Sequence, residues 1–292
     1  MKCAILALPE IDHAEEGLWK RMLKSRKTRY TALEIPYAAE DVWLVQLPYT
    51  DEELQKMTQQ KRERLWLKYI YDLREKGVSC VYLPNRLLRF EETKEFGHNF
   101  ILPDGKLLFR LLIGRALKFC AQRQREELSE AMIGVWQDCF DENGYIIMEK
   151  LSDSIKYLTL FSNTPSSAGI YAERLYLHNG LSAQISERLN IMSGCKYLIL
   201  ADGFYGPALG EQTAVFDICG DYPYRCFNTL EFNIPFGFHI IAPYFDSCDQ
   251  RCMDFLFNAC SVRLGRDTDA WSAVKSIGCD LKNVMYKSHK LS

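Results

Sequence analysis

The sequence predicts an α/β protein of two α/β domains, the second built on a mainly parallel sheet. Short apolar runs alternate with capped helical segments along the whole chain. The runs are almost continuously hydrophobic, as in strands buried on both faces. The 292 residues suffice for two ordinary domains, and 48% hydrophobic with 25% charged residues is a usual globular mixture.

Residues 2–8 and 42–47 (VWLVQL) read as buried strands, the second ended by Pro48. Thr50-Asp51-Glu52-Glu53 is a capping box, so a helix is expected from there to about Lys76, with Gly77 in the left-handed conformation that ends it. Residues 78–83 (VSCVYL) follow as a strand, then a polar irregular loop from Arg86 to Leu102. A helix over 104–127 has Leu107, Leu108, Leu111, Leu112 and Leu117 roughly on one face, with Arg110, Lys118 and Arg125 able to reach water.

From residue 131 the rhythm repeats. Strands are expected at 131–136, 156–162, 182–186, 196–201, 213–219 and 238–242, and helices at 142–153 and from Thr164-Pro165 to about His178. The strands at 131–136 and 157–162 should lie side by side and parallel. A domain boundary is placed where this second run of strands begins, giving 1–130 and 131–292. Two late helices, about 248–262 and 268–277, are expected to pack back on the first domain.

Composition narrows the function classes. There is no run of about 18 apolar residues for a membrane span. The start MKCAILALPEIDHAEEG has too short an apolar run for a signal peptide and reads as a strand. Eleven cysteines, most in apolar runs, are then expected to be free, buried thiols in a reducing, cytoplasmic setting. A formal charge of −2 does not favour nucleic acid; the basic stretch Lys20 to Arg29 reads as a solvated helix end and loop.

Three segments carry a resemblance: IGVWQDCF (133–140), YLTLFSNTPSSAGIYAERLYLHNGL (157–181) and KYLILADG (196–203). In pattern and order the chain from Ala131 resembles the Rossmann-like NAD(P)-binding domain of the shikimate dehydrogenase and glutamyl-tRNA reductase type. The resemblance implies that Ser162-Asn163-Thr164 stands where such a domain meets the adenosine ribose, and Ala201-Asp202-Gly203 near the nicotinamide.

The motif itself departs from that family. A dinucleotide fold needs glycines in its first β-to-α turn, so that the backbone can approach the pyrophosphate. The corresponding stretch, Gly134 to Glu142, keeps one glycine and adds Trp136, Asp138, Asp141 and Glu142. A carboxylate about 4 Å from a phosphate charge costs roughly 1 kcal/mol in water and about 4 kcal/mol at an effective dielectric of 20. A helix N-terminus returns only about 0.3–1 kcal/mol. Asn163 stands where an acidic ribose ligand would end the second strand; the favoured reading is that Asn163 and Thr164 merely cap a helix.

If a ligand binds, the carboxyl ends of the strands should line its cleft: Trp136, Gln137, Ser162, Asn163, Thr164, Asp202 and Gly203, with the N-terminal domain closing the far side. Trp136 is either an aromatic wall of that pocket or a core plug in the space glycine leaves for a cofactor. Among other candidates, Cys248, Cys252 and Cys260 share a helical face but lack a fourth zinc ligand, so no metal is expected. His98 reads as a solvated loop histidine and His239 as a core one.

The sequence therefore points to a non-catalytic binding, regulatory or scaffold protein on a dehydrogenase-like fold, with no cofactor and with a small molecule or a protein as partner. A divergent NAD(P)-dependent oxidoreductase acting on a small molecule is the alternative.

Overall fold

The computed structural model describes residues 2–9, 27–35, 42–206, 208–233, 238–239, 241–260, 272, 274–275 and 278–287. Most of the basic stretch and of the expected helix at 268–277 lies outside them. The chain forms two compact units, 1–105 with 233–280 and 106–232 with 281–292. This division differs from one at residue 130 in two respects. The apolar helix before residue 130 packs on the second unit, and the chain after the sixth strand of that unit's sheet returns to the first.

The first unit is a four-stranded sheet with helices on it. Its strands are β1 (Lys2–Ala7), β2 (Arg29–Leu33), β3 (Val42–Gln46) and β4 (Val78–Tyr82), in the order β2-β3-β1-β4. β1 pairs in parallel with β3 and β4, and β2 is an antiparallel edge. β1 is buried along almost its whole length, which is why its sequence does not alternate. Thr50 closes its capping box with Glu53 at the start of α1 (Asp51–Lys56). The expected single helix breaks at Met57-Thr58, and α2 (Gln59–Glu75) buries Trp66, Tyr69, Ile70 and Leu73 against Ala4, Leu6, Val45 and Val81 of the sheet. Gly77 takes φ +73° after it. The stretch after β4 is not irregular: α3 (Asn85–Leu88), one 3-10 turn and α4 (Glu95–Asn99) occupy it, with His98 on α4.

The second unit opens with α5 (Lys106–Gln124). Its sheet strands are β5 (Met132–Trp136), β6 (Tyr157–Phe161), β7 (Ala183–Ser186), β8 (Tyr197–Leu200), β9 (Ala214–Asp217), β10 (Cys226–Phe232) and β11 (Leu281–Lys287). The order is β7-β6-β5-β8-β9-β10-β11. All neighbours pair in parallel except β10 with β11. In chain order the six parallel strands run 3-2-1-4-5-6, the Rossmann order, with β5 and β8 flanking the point where the order reverses. β5 and β6 pair in parallel from Met132 with Tyr157 to Trp136 with Phe161, as expected. α6 (Glu142–Ser152) and α7 (Pro165–Asn179) connect the first three strands, and Gly180 ends α7 at φ +71°.

Among the described residues of 238–242 no strand forms. Phe238 and Ile241 are buried, but the segment makes a turn and a 3-10 helix at Ala242–Tyr244, and His239 is exposed rather than in the core. α8 (Gln250–Ala259) does pack on β4 and β1 of the first unit. Of the eleven cysteines, eight are buried, Cys219 and Cys248 are half-buried and Cys139 is exposed. Cys248 touches Cys252, whereas Cys260 lies near Cys3. Among the described residues, no group of three His, Cys, Asp or Glu side chains is placed to share a metal ion, and no helix is long and apolar enough to cross a membrane.

One buried carboxylate ties α8 to the first unit. Asp254 is 8% exposed and accepts the Gly105 N–H at 2.8 Å. Gly105 sits at φ +78°, and a Cβ there would strike Gln250 and the backbone of Arg251, so the close approach requires glycine. Burial pushes the Asp254 carboxyl up to about 7, helped by Asp104 and Asp249 and opposed by the Gly105 N–H. With the folded pKa above the unfolded one, stability falls as pH rises from about 4 towards 7 and levels off above. Asp254→Asn keeps an acceptor for Gly105 and removes the titration. Urea unfolding should show the variant gaining on the wild type across this range; identical pH profiles would contradict the assignment.

Candidate functional site

The candidate site is the carboxyl edge of the second unit's sheet, at the ends of β5, β6 and β8. The first β-to-α turn, Gln137 to Asp141, contains no glycine. Gly134 is inside β5, where a Cβ would lie 2.7–2.9 Å from Leu198, Phe161 and Cys195. It makes room for neighbouring side chains, not for a ligand. The glycine that matters to the turn is Gly144, third residue of α6, where a Cβ would collide with the Gln137 amide and come 2.9 Å from Phe140.

Asp141 is the N-cap of α6. Its Oδ1 accepts from Asn143 N–H (2.8 Å), Gly144 N–H (3.1 Å) and Gln137 Nε2 (2.8 Å), and its Oδ2 from Asn143 Nδ2 (3.0 Å). Partial burial pushes the carboxyl up, but the four donors outweigh it and hold Asp141 below the usual carboxylate range. The backbone N–H groups that a helix N-terminus offers to an anion are thus taken by the chain's own carboxylate. Glu142 adds a further negative charge, paired with Arg174 at 2.8 Å.

Polar bonds stitch the three strand ends together. Ser162 Oγ donates to the Asp138 carbonyl (2.8 Å) and accepts the Thr164 N–H (2.9 Å). Asn163 Nδ2 donates to Asp138 Oδ1 (2.6 Å), and the Asp138 N–H reaches Asp202 Oδ2 (3.3 Å). Neither Asn163 nor Thr164 caps α7 with its side chain; Ser167 Oγ bonds the Thr164 carbonyl and accepts the Phe140 N–H instead. Burial raises the Asp202 pKa, as do Asp141 and Asp138, against the Asp138 N–H and Arg110.

Of the expected site residues, Ser162, Asn163 and Asp202 converge on Asp138, and Thr164 joins through Ser162. Gly203 is next in chain, facing the Tyr205 ring. Trp136 lies in the core at 5% exposure, edge-on to Phe204 with ring centroids 5.4 Å apart, and its buried Nε1 has no partner. Gln137 is 2% exposed, and its Oε1 is buried without a hydrogen bond. Arg110, expected to reach water, belongs to the site instead. Arg110 is half-buried, donates to Asn143 Oδ1 (3.3 Å) and lies near enough to Asp202 to lower its pKa. Its spacing of four from Lys106 in the first turns of α5 was the available signal. Lys106, Arg110 and Asp202 also act on Cys219, whose thiol donates to the Ala201 carbonyl (3.1 Å) and is raised chiefly by burial.

No protein-family model and no curated protein matches the chain. Among solved structures, it is similar to L-tryptophan dehydrogenase from Nostoc punctiforme at 14% identity and a TM-score of 0.35, covering 94% of this chain and 79% of that one. It is similar to 5-ketofructose reductase from a Gluconobacter strain at 13% identity and a TM-score of 0.35, covering 95% and 97%. Shikimate 5-dehydrogenase from Listeria monocytogenes gives 12% identity and a TM-score of 0.30, covering 74% and 78%. The Rossmann-like character of the second unit rests on its own strand order and parallel register.

The Asp141 cap has a measurable consequence. Asp141→Ala should lower stability by about 1 kcal/mol at neutral pH, the usual worth of an N-cap. Because the folded pKa is depressed, the wild type's advantage is complete above about pH 5 and is lost as pH falls through the folded value. Urea unfolding of both proteins at pH 7 and near pH 3 checks this; no difference at pH 7 would contradict it.

Proposed function

We propose that the protein is a non-catalytic binding, regulatory or scaffold protein in which a dehydrogenase-type sheet no longer takes a dinucleotide at its first turn. The observation that carries this reading is the Asp141 carboxylate seated on the Asn143 and Gly144 N–H groups. A pyrophosphate would have to displace an anion that already has four donors, and would meet Asp138 and Glu142 beside it. The Gln137 side chain, packed over Gly144, fills the space through which backbone and phosphate approach each other in a glycine-rich turn. These residues do not fit the pyrophosphate of NAD(P). The ligand on this reading is a small molecule or a protein, and the buried thiols suit a reducing, cytoplasmic setting.

A divergent NAD(P)-dependent oxidoreductase acting on a small molecule is the second reading. The strand order favours it, as does Asp202 with Arg110 close by at the switch point. Calorimetric titration with NADH and with NADPH separates the two. The first reading expects dissociation constants weaker than about 1 mM for both. A micromolar constant for either would overturn it in favour of the oxidoreductase.

A further inference from the structure

The opposite, amino edge of the same sheet carries a groove of about 700 Å³. It lies where β8, β9 and β10 begin, bounded by the loop 209–213, the end of α5 and Tyr286 near the end of β11. Its volume is in the range of small-molecule sites. None of the residues discussed for the carboxyl edge lines it.

Charge and aromatic surface are distributed unevenly in this groove. Lys196 and Glu126 pair at 2.8 Å, and Glu126 also accepts from the Tyr197 hydroxyl at 2.9 Å, so this pair is neutral and satisfied within itself. Arg225 is different. It is exposed, and among the described residues no carboxylate forms an ion pair with it. Its partner is Tyr286: the guanidinium lies 4.3 Å from the ring centroid and against the hydroxyl. The Tyr286 ring is stacked in turn on Phe227, centroids 3.7 Å apart. This three-layer stack holds a planar cationic fork with its charge uncompensated. Beside it Tyr224 stands edge-on to Tyr222 at 5.3 Å and is 40% exposed. Tyr222 is fixed by accepting the Leu209 N–H at 3.0 Å.

We propose that this groove is a binding site for a small aromatic monocarboxylate, with Arg225 taking the carboxylate and Tyr224 the ring. The guanidinium fork matches a carboxylate in two parallel hydrogen bonds. The exposed tyrosine offers aromatic surface to a planar group. With Glu126 neutralised by Lys196, Glu211 and Arg225 are the other charged side chains of the lining, so a second negative charge on the ligand finds no further cation and a phosphate or polyanion is disfavoured. The site is independent of whether the carboxyl edge takes a dinucleotide.

The test uses fluorine NMR of the full chain titrated with 4-fluorobenzoate and, in parallel, its neutral isostere 4-fluorobenzamide. Saturable binding of the acid at about 1 mM or tighter is expected, with the amide about tenfold weaker. Arg225→Gln should weaken the acid about tenfold and leave the amide unchanged, and Tyr224→Ala should weaken both. The acid-to-amide ratio on the wild type tests the charge requirement without any variant. No saturation by the acid up to about 10 mM, equal binding of acid and amide, or an Arg225→Gln protein that binds the acid as the wild type does would each overturn the proposal.

Discussion

Four donors converge on the Asp141 carboxylate, and the carboxyl edge of the larger sheet is organised around that convergence. The carboxylate satisfies the N–H groups of the second and third residues of α6, orients Gln137 across Gly144, and sits beside the Asp138 turn that binds Ser162, Asn163 and Asp202. A helix N-terminus attracts an anion through its unsatisfied donors and its dipole. In the Rossmann arrangement that anion is a ligand; here it is part of the chain. The glycine-free turn and the internal anion go together, because the Gln137 side chain that bonds Asp141 also packs over Gly144.

The sheet gives the protein two separate chemical edges. At the carboxyl edge the polar groups bond one another across three strand ends, which leaves a largely self-satisfied surface. At the amino edge, Arg225 is held by the ring and hydroxyl of Tyr286, and no carboxylate forms an ion pair with it among the described residues. The antiparallel β11 matters here, because it brings Tyr286 against Phe227 and under Arg225.

The elements legible in the sequence were those with strong local signals. β1, β4, β5, β6 and β8 are apolar runs buried almost throughout, and the Thr50 box and Thr164-Pro165 mark true helix starts. β2 (RYTAL), β10 (CFNTLEF) and β11 (LKNVMYK) were missed because edge and antiparallel strands keep polar residues on an open face. The run 238–242 reads as a strand for the opposite reason: Phe238 and Ile241 are buried without forming one, which composition cannot tell from a strand. For the site, the anionic character of the first turn was visible in Asp138 and Asp141. That Asp141 turns onto its own helix, and that Asn163 goes to Asp138 rather than to α7, depends on rotamers and register that spacing does not encode.

The Asp141 carboxylate occupies the anion position at the start of α6. Site-resolved NMR through a pH titration observes this directly, following the Asp141 carboxyl carbon together with the backbone amides of Asn143 and Gly144. The account predicts a carboxyl midpoint below the unperturbed value of about 3.9, with both amides shifting at that same midpoint as their acceptor is lost. A midpoint at the ordinary value, with the two amides indifferent to it, would contradict the account.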